Sequence, residues 1–147
     1  MKYAFNYIKE HNITTENTYP YTNSEHLCKF EGGPFSIQSY TGIQSQSVIA
    51  FKKALAKHVL TVAIETTPGI RYYHSGVLKQ EDVCGKNIDH AVVATGYEVE
   101  VQEDGSECLI VQLKNSWGMS YGEDGYFYGR VCSDDCGMLQ KSTYVIV

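Results

Sequence analysis

Apolar residues Met1, Ala4, Phe5 and Ile8 recur at helical spacing, which predicts an amphipathic helix over residues 1–11. No capping residue precedes it, and a helix without a start of its own implies chain upstream. Residues 12–23 are polar and turn-rich, with Tyr19-Pro20-Tyr21 as a stiff extended element. Gly32-Gly33-Pro34 breaks the chain, and residues 35–40 alternate as a half-buried strand does. Ser47 reads as the N-cap of a second helix whose face carries Val48, Phe51, Ala54, Leu55 and His58. An apolar strand over 59–64 follows, then a turn at Pro68-Gly69 and a second apolar strand over 90–97. Residues 98–102 and 108–114, joined by the turn Glu103-Asp104-Gly105-Ser106, read as a long hairpin. Residues 125–131 and 142–147 supply further strands. There are no repeats or low-complexity segments, so the pattern predicts one antiparallel, barrel-like β domain with helices packed on it.

Composition narrows the function classes. The chain has 147 residues, 43 % of them apolar and 20 % charged, which suits one globular domain with a real core. Twelve tyrosines and thirteen glycines favour strands and turns. A net charge of −5 argues against a nucleic-acid partner, and Lys52, Lys53 and Lys57 fit one solvated helix face. No apolar run approaches a membrane span, and Met1-Lys2-Tyr3-Ala4-Phe5 has no apolar core of a targeting segment. Five cysteines suggest an oxidising compartment, and their odd number leaves at least one thiol free or paired outside the chain. None falls in a C-x-x-C pattern, so no metal site is expected, and no nucleotide or organic cofactor is implied. Asn12-Ile13-Thr14 matches a glycosylation sequon.

Two segments suggest chemistry. Asp89-His90-Ala91-Val92-Val93-Ala94-Thr95-Gly96-Tyr97 puts a histidine at the mouth of an apolar strand. Lys114-Asn115-Ser116-Trp117-Gly118, followed by Tyr121-Gly122-Glu123-Asp124-Gly125-Tyr126, begins where the hairpin ends. Adjacent strands can therefore bring His90 and Asn115 side by side. A neutral amide that accepts an imidazole N–H fixes the ring and leaves its other nitrogen for a nucleophile. Trp117 is placed to shield that hydrogen bond from water.

Together and in order, these segments closely resemble the two late signatures of the papain/cathepsin family of cysteine peptidases, with Tyr121 in place of a second tryptophan. Tyr19-Pro20-Tyr21, Val62-Ala63-Ile64, Tyr73-His74-Ser75-Gly76-Val77 and Cys136-Gly137 match further family landmarks. The resemblance spans essentially the whole chain. It implies an α+β, papain-like fold, mainly the antiparallel barrel-like right domain over 1–147, with residues 1–11 as a remnant helix of the helical left domain. His90 then matches the general base, Asn115 the residue that orients it and Trp117 the aromatic shield. Asp89 sits beside the histidine, as is common in the family. With Met1, Ala63, Ile88, Ala91 and Lys141 it makes up the expected substrate-binding set, those five lining the pocket for the residue two before the scissile bond. Lys141 implies a shortened pocket or a preference for an acidic side chain.

The resemblance also shows what is missing. The family's nucleophile lies in a Cys-Gly-Ser-Cys-Trp-like segment well upstream of the histidine, farther than the 89 residues before His90 reach. None of the five cysteines has that context, and the glutamine of the oxyanion hole is absent too. The expectation is the His/Asn half of a cysteine endopeptidase, inactive alone and completed by a missing segment or a second chain bringing the cysteine, with a polypeptide substrate. Lysosomal, vacuolar or secreted residence goes with the family. The alternative is a stand-alone, catalytically dead pseudoenzyme that binds or scaffolds a partner. By resemblance Cys84 pairs with Cys136 and Cys28 loses its partner. Cys108 and Cys132 have no family counterpart and read as buried or free thiols. His58-Val59 replaces a family Gly-Pro and loosens a turn. Gln112 sits at a usually apolar strand position, where burial costs roughly 1–3 kcal/mol unless it is hydrogen-bonded.

Overall fold

The computed structural model describes residues 1–147, which divide into two compact units. The elements in chain order are α1 (Lys2–His11), β1 (Ser39–Gly42), α2 (Val48–Leu55), β2 (Leu60–Ile64), α3 (Pro68–Arg71), β3 (Val77–Leu78), α4 (Gln80–Val83), β4 (His90–Val101), β5 (Glu107–Lys114), β6 (Tyr126–Val131), a 3₁₀ turn (Gly137–Gln140) and β7 (Thr143–Ile146).

The smaller unit holds residues 1–41 and 145–147. Met1 stands at the N-cap of α1 without a side-chain cap bond, and no residue of the helix is fully buried. Little of the alternating segment 35–40 becomes strand. Phe35 forms an isolated bridge to Ile13, and regular pairing starts only at Ser39. Phe35 is 52 % exposed, so no core face exists to fix the register of a longer strand. Asn12 of the sequon donates its side-chain amide to the Gly33 carbonyl (3.0 Å).

The larger unit, residues 42–144, contains the core. Its strands lie in the order β7-β2-β4-β5-β6-β3, antiparallel except for the short β3–β6 pair. The order has two ends, so the sheet is not closed into a barrel. Leu60, Val62 and Ile64 of β2, Val92 and Ala94 of β4, and Leu109, Val111 and Leu113 of β5 present one apolar face. Phe51 and Leu55 of α2, Ile70 of α3, Val83 of α4 and Phe127 and Val131 of β6 join the same cluster. Each Val, Leu, Ile or Phe side chain among these, fully withdrawn from water, contributes about 1.5–3 kcal/mol.

Several local readings hold and others shift. Ser47 Oγ accepts the N–H of Ala50 (3.2 Å) and so caps α2. The helix ends at Leu55, and His58 lies beyond it, exposed and stacked on Tyr144 at 4.2 Å between ring centroids. Pro68-Gly69 opens the helix α3 instead of forming a turn, because Thr67 Oγ1 accepts the Ile70 N–H (3.3 Å) and proline suits a first helical position. Gln112 is not an unpaired amide. Its Oε1 accepts the Thr95 hydroxyl (2.7 Å) and its Nε2 donates to the Tyr128 hydroxyl (2.9 Å). Thr95 falls where the β4–β5 register shifts between Ala94 and Gly96, a bulge that aims its side chain at the glutamine.

Candidate active site

The pairing of β2 with β4 sets Ala63 opposite Ala91 and Ile64 opposite His90. The β4–β5 hairpin returns the chain so that Asn115 follows directly on the last residue of β5. The Asn115 N–H donates to the Gly125 carbonyl and the Gly125 N–H to the Tyr121 carbonyl (2.9 and 2.8 Å). These bonds fold the 115–125 loop back on itself. Gly122 permits this at φ 53°, where a β-carbon would strike the Tyr126 carbonyl and the Tyr73 ring.

His90 Nε2 lies 2.9 Å from Asn115 Oδ1. The Ser116 backbone N–H, which can only donate, points at the same Oδ1 from 2.8 Å. That oxygen is therefore the amide's acceptor end, and the proton of the His90–Asn115 bond belongs to Nε2. Nδ1 of His90 is left as the nitrogen available for a reacting partner. Trp117 stacks on the imidazole, with ring centroids 5.1 Å apart and planes at 25°. Tyr121 meets the indole edge-on at 5.0 Å and donates its hydroxyl to the Ile70 carbonyl (2.7 Å). Burial raises the Tyr121 phenol above its ordinary pKa, and the polar Asn115 side chain near it pulls the other way. Asn115 is 8 % exposed, and its Nδ2 has no acceptor in bonding geometry.

The remaining candidate residues differ in exposure. Ala63 is buried, Ile88 is half-buried, and Ala91 and Lys141 are exposed, all in the larger unit. Met1 is half-buried and belongs to the smaller unit. Asp89 is engaged structurally. Its Oδ1 accepts both the N–H and the hydroxyl of Thr66 (2.7 and 2.9 Å), and those bonds hold its carboxyl below the usual range. Glu65 next door accepts the Asn87 N–H (3.0 Å). Glu65 and Thr66 thus hold the approach to His90, a role that no periodicity in their segment signals. Glu123 does the same for the 73–76 turn, accepting the Gly76 N–H (2.9 Å) and the Tyr73 hydroxyl (2.8 Å). These bonds, in that order, hold its carboxyl low, while burial and then Glu123 push the Tyr73 phenol up.

Ala91, Lys114, Asn115 and Ser116 flank a shallow hollow of about 290 Å³. A larger hollow of about 650 Å³, between α2 and the β4–β5 hairpin, shares no lining residue with it and touches neither His90 nor Asn115.

Four of the five cysteines are bonded. Cys84 pairs with Cys136, and Gly137 fits the closure because a β-carbon there would collide with the Gly85 carbonyl. Cys108 pairs with Cys132, which corrects their reading as buried or free thiols. Leu109 faces Val131 in the β5–β6 register, so the next pair outward brings the two sulfurs together. Cys28 is free and exposed, in the smaller unit. The unit that holds His90 therefore offers it no thiol. No group of three His, Cys, Asp or Glu side chains is clustered as a metal would require, and no helix is long and apolar enough to cross a membrane.

Comparison with known proteins meets this geometry from the other side. The family model for papain family cysteine proteases matches residues 1–146. The chain is 35 % identical to cysteine endopeptidase RepA of Oryza sativa subsp. japonica, over 99 % of its own length and 40 % of that protein's. It is 30 % identical to procathepsin L of Mus musculus, over 100 % and 45 %. It superposes on the bromelain protease of Ananas comosus, solved with the E64 inhibitor, with a TM-score of 0.81 at 30 % identity, covering 98 % of this chain and 67 % of that one. The chain thus spans less than half the length of those two curated relatives. A histidine–asparagine pair under a stacked indole, on a fold shared from end to end, places the chain in the papain family of cysteine proteases.

Proposed function

We propose that this chain supplies the histidine–asparagine half of a cysteine endopeptidase, and that the thiolate comes from a separate segment or a second chain. The observation behind this reading is the His90 Nε2–Asn115 Oδ1 hydrogen bond under Trp117, which leaves Nδ1 free. In the completed site a cysteine thiol transfers its proton to His90 Nδ1, giving a thiolate–imidazolium pair. The thiolate attacks the scissile carbonyl of a polypeptide. The imidazolium then protonates the leaving amine, and the C–N bond breaks. Water, deprotonated by the neutral imidazole, hydrolyses the thioester and restores the thiol. Asn115 holds the ring through both steps. The oxyanion donors come with the cysteine's segment, so the chain alone does not turn over substrate.

Ala63, Ile88, Ala91 and Lys141 belong, on this reading, to the pocket for the substrate residue two before the scissile bond. Lys141 is exposed and able to meet an acidic side chain. A peptide library cleaved by the completed enzyme should show that acidic preference, and Lys141→Ala should remove it. A preference for bulky apolar residues alone overturns the role of Lys141. Lysosomal, vacuolar or secreted residence suits two disulfides.

One observation favours a second reading. The unit carrying His90 has every cysteine locked in a disulfide, as a stand-alone pseudoenzyme that binds a partner also would. The intact mass of the native species, before and after a thiol-directed epoxide, separates the two. A species well above 16.5 kDa, or a two-chain assembly, that gains one inhibitor is the expected result, with His90→Ala in that assembly losing at least ~10³-fold in turnover. An unlabelled species at 16.5 kDa with no companion establishes the binding module instead.

A further inference from the structure

The Asn115 amide has one end accounted for and one end not. Oδ1 receives the Ser116 N–H and the His90 Nε2–H, while Nδ2 is buried and lacks an acceptor in bonding geometry. A buried amide N–H left unmade is costly enough that native proteins rarely keep one. The candidate acceptor is the hydroxyl of Tyr121, which the Asn115 side chain influences. Its backbone is tied to that of Asn115 through Gly125, whose N–H donates to the Tyr121 carbonyl and whose carbonyl accepts the Asn115 N–H. Its ring packs edge-on against Trp117, which covers His90. Its single hydroxyl proton is already given to the Ile70 carbonyl at 2.7 Å. The oxygen is left as an acceptor only.

We propose that Tyr121 is a positioning residue of the His90–Asn115 pair, its phenol oxygen accepting from Asn115 Nδ2 while its proton is held by the Ile70 carbonyl. The relay has a direction. Ile70 fixes the phenol proton, so the phenol can face only a donor, so Nδ2 turns toward it and Oδ1 toward His90. The same orientation keeps the imidazole proton on Nε2 and Nδ1 open. An indole at this position could not act this way, because its N–H donates and accepts nothing. The tyrosine in place of the second tryptophan of the family signature therefore adds a hydrogen-bond function to a packing position. The opposing effect of the Asn115 side chain on the Tyr121 phenol agrees with this arrangement.

The inference rests on His90 and Asn115 being the catalytic pair, but its test reads hydrogen bonding and needs no turnover. In the full chain, NMR should show a nuclear Overhauser contact between the Asn115 Nδ2 protons and the Tyr121 ring, with slow exchange of those protons. Tyr121→Phe should speed that exchange at least ~10-fold, about the worth of one buried hydrogen bond, and lower the share of His90 in the Nε2–H tautomer. The backbone amides of β5 should keep their protection. Tyr121→Trp, which restores a large ring without an acceptor, should behave like the phenylalanine variant. Absence of the contact in the unsubstituted chain overturns the proposal even if a variant fails to fold. Unchanged Asn115 exchange in Tyr121→Phe overturns it as well, and so does full protection in Tyr121→Trp, which would make the role packing. A completed enzyme without peptidase activity would sink the proposed function and leave this hydrogen bond standing.

Discussion

Glu123 shows how a single carboxylate can organise a turn from outside it. Its Oε1 receives the Gly76 N–H and the Tyr73 hydroxyl, across 47 and 50 residues of sequence. Because both bonds favour the ionised form, the folded pKa lies below the ordinary value of 4.5. The folded state then binds protons less readily than the unfolded chain. This contribution to stability is fully present above about pH 4.5 and is lost as pH falls through the folded value. Asp89, Glu100 and Asp104 are depressed in the same direction, so acid destabilisation of the whole chain is shared among them. Glu123→Gln isolates one share. The variant should be less stable than the unsubstituted chain at neutral pH, and the gap should close as both are titrated below pH 4.5. Denaturation midpoints across pH 3 to 7 measure it, and a gap independent of pH would mean that the charge plays no part.

Among the elements, legibility followed burial. β2 and the β4–β5 hairpin were readable because apolar runs bounded by turn residues mark them, and with them came the approach of His90 to Asn115. The catalytic candidates were legible for that reason, since two strand ends suffice to place them. Partners that arrive from a distant turn were not. Thr66 at Asp89, Glu65 at Asn87 and Ile70 at Tyr121 leave no periodic trace. Gln112 read as a defect because its partners sit on neighbouring strands, Thr95 at a bulge and Tyr128 across β5–β6, and bulges are invisible to a period of two. Cys108 and Cys132 escaped for a related cause, since their pairing depends on the same unread register. That bridge closes 24 residues of sequence and, on chain-entropy grounds, contributes about 3 kcal/mol. Replacing both cysteines by alanine should lower the unfolding free energy by about that much in denaturant titration, while one free thiol, Cys28, titrates before and after. A loss under ~0.5 kcal/mol would mean that β5–β6 pairing alone fixes this edge.

At the scale of the molecule, the two units differ in what holds them. Nearly all fully buried side chains lie between residues 51 and 139, whereas α1 buries none of its ten residues. A ten-residue helix has little stability of its own in water, so its persistence depends on packed neighbours. The segment from 15 to 29 is exposed throughout and makes few backbone hydrogen bonds. These are the marks of a region that opens locally while the core stays closed. Val62, Val92, Ala94, Val111 and Leu113 of β2, β4 and β5, by contrast, have side chains with almost no exposure, and their amides should exchange only on global unfolding. Amide hydrogen exchange of the whole chain should therefore separate into two classes. Val62, Val111 and Leu113 should be protected at least ~10³-fold more than Phe5 or Ile8. If α1 instead exchanges at the rate of β5, the two units unfold as one. The smaller unit would then be part of the cooperative fold, and a partner segment would not be needed to order it.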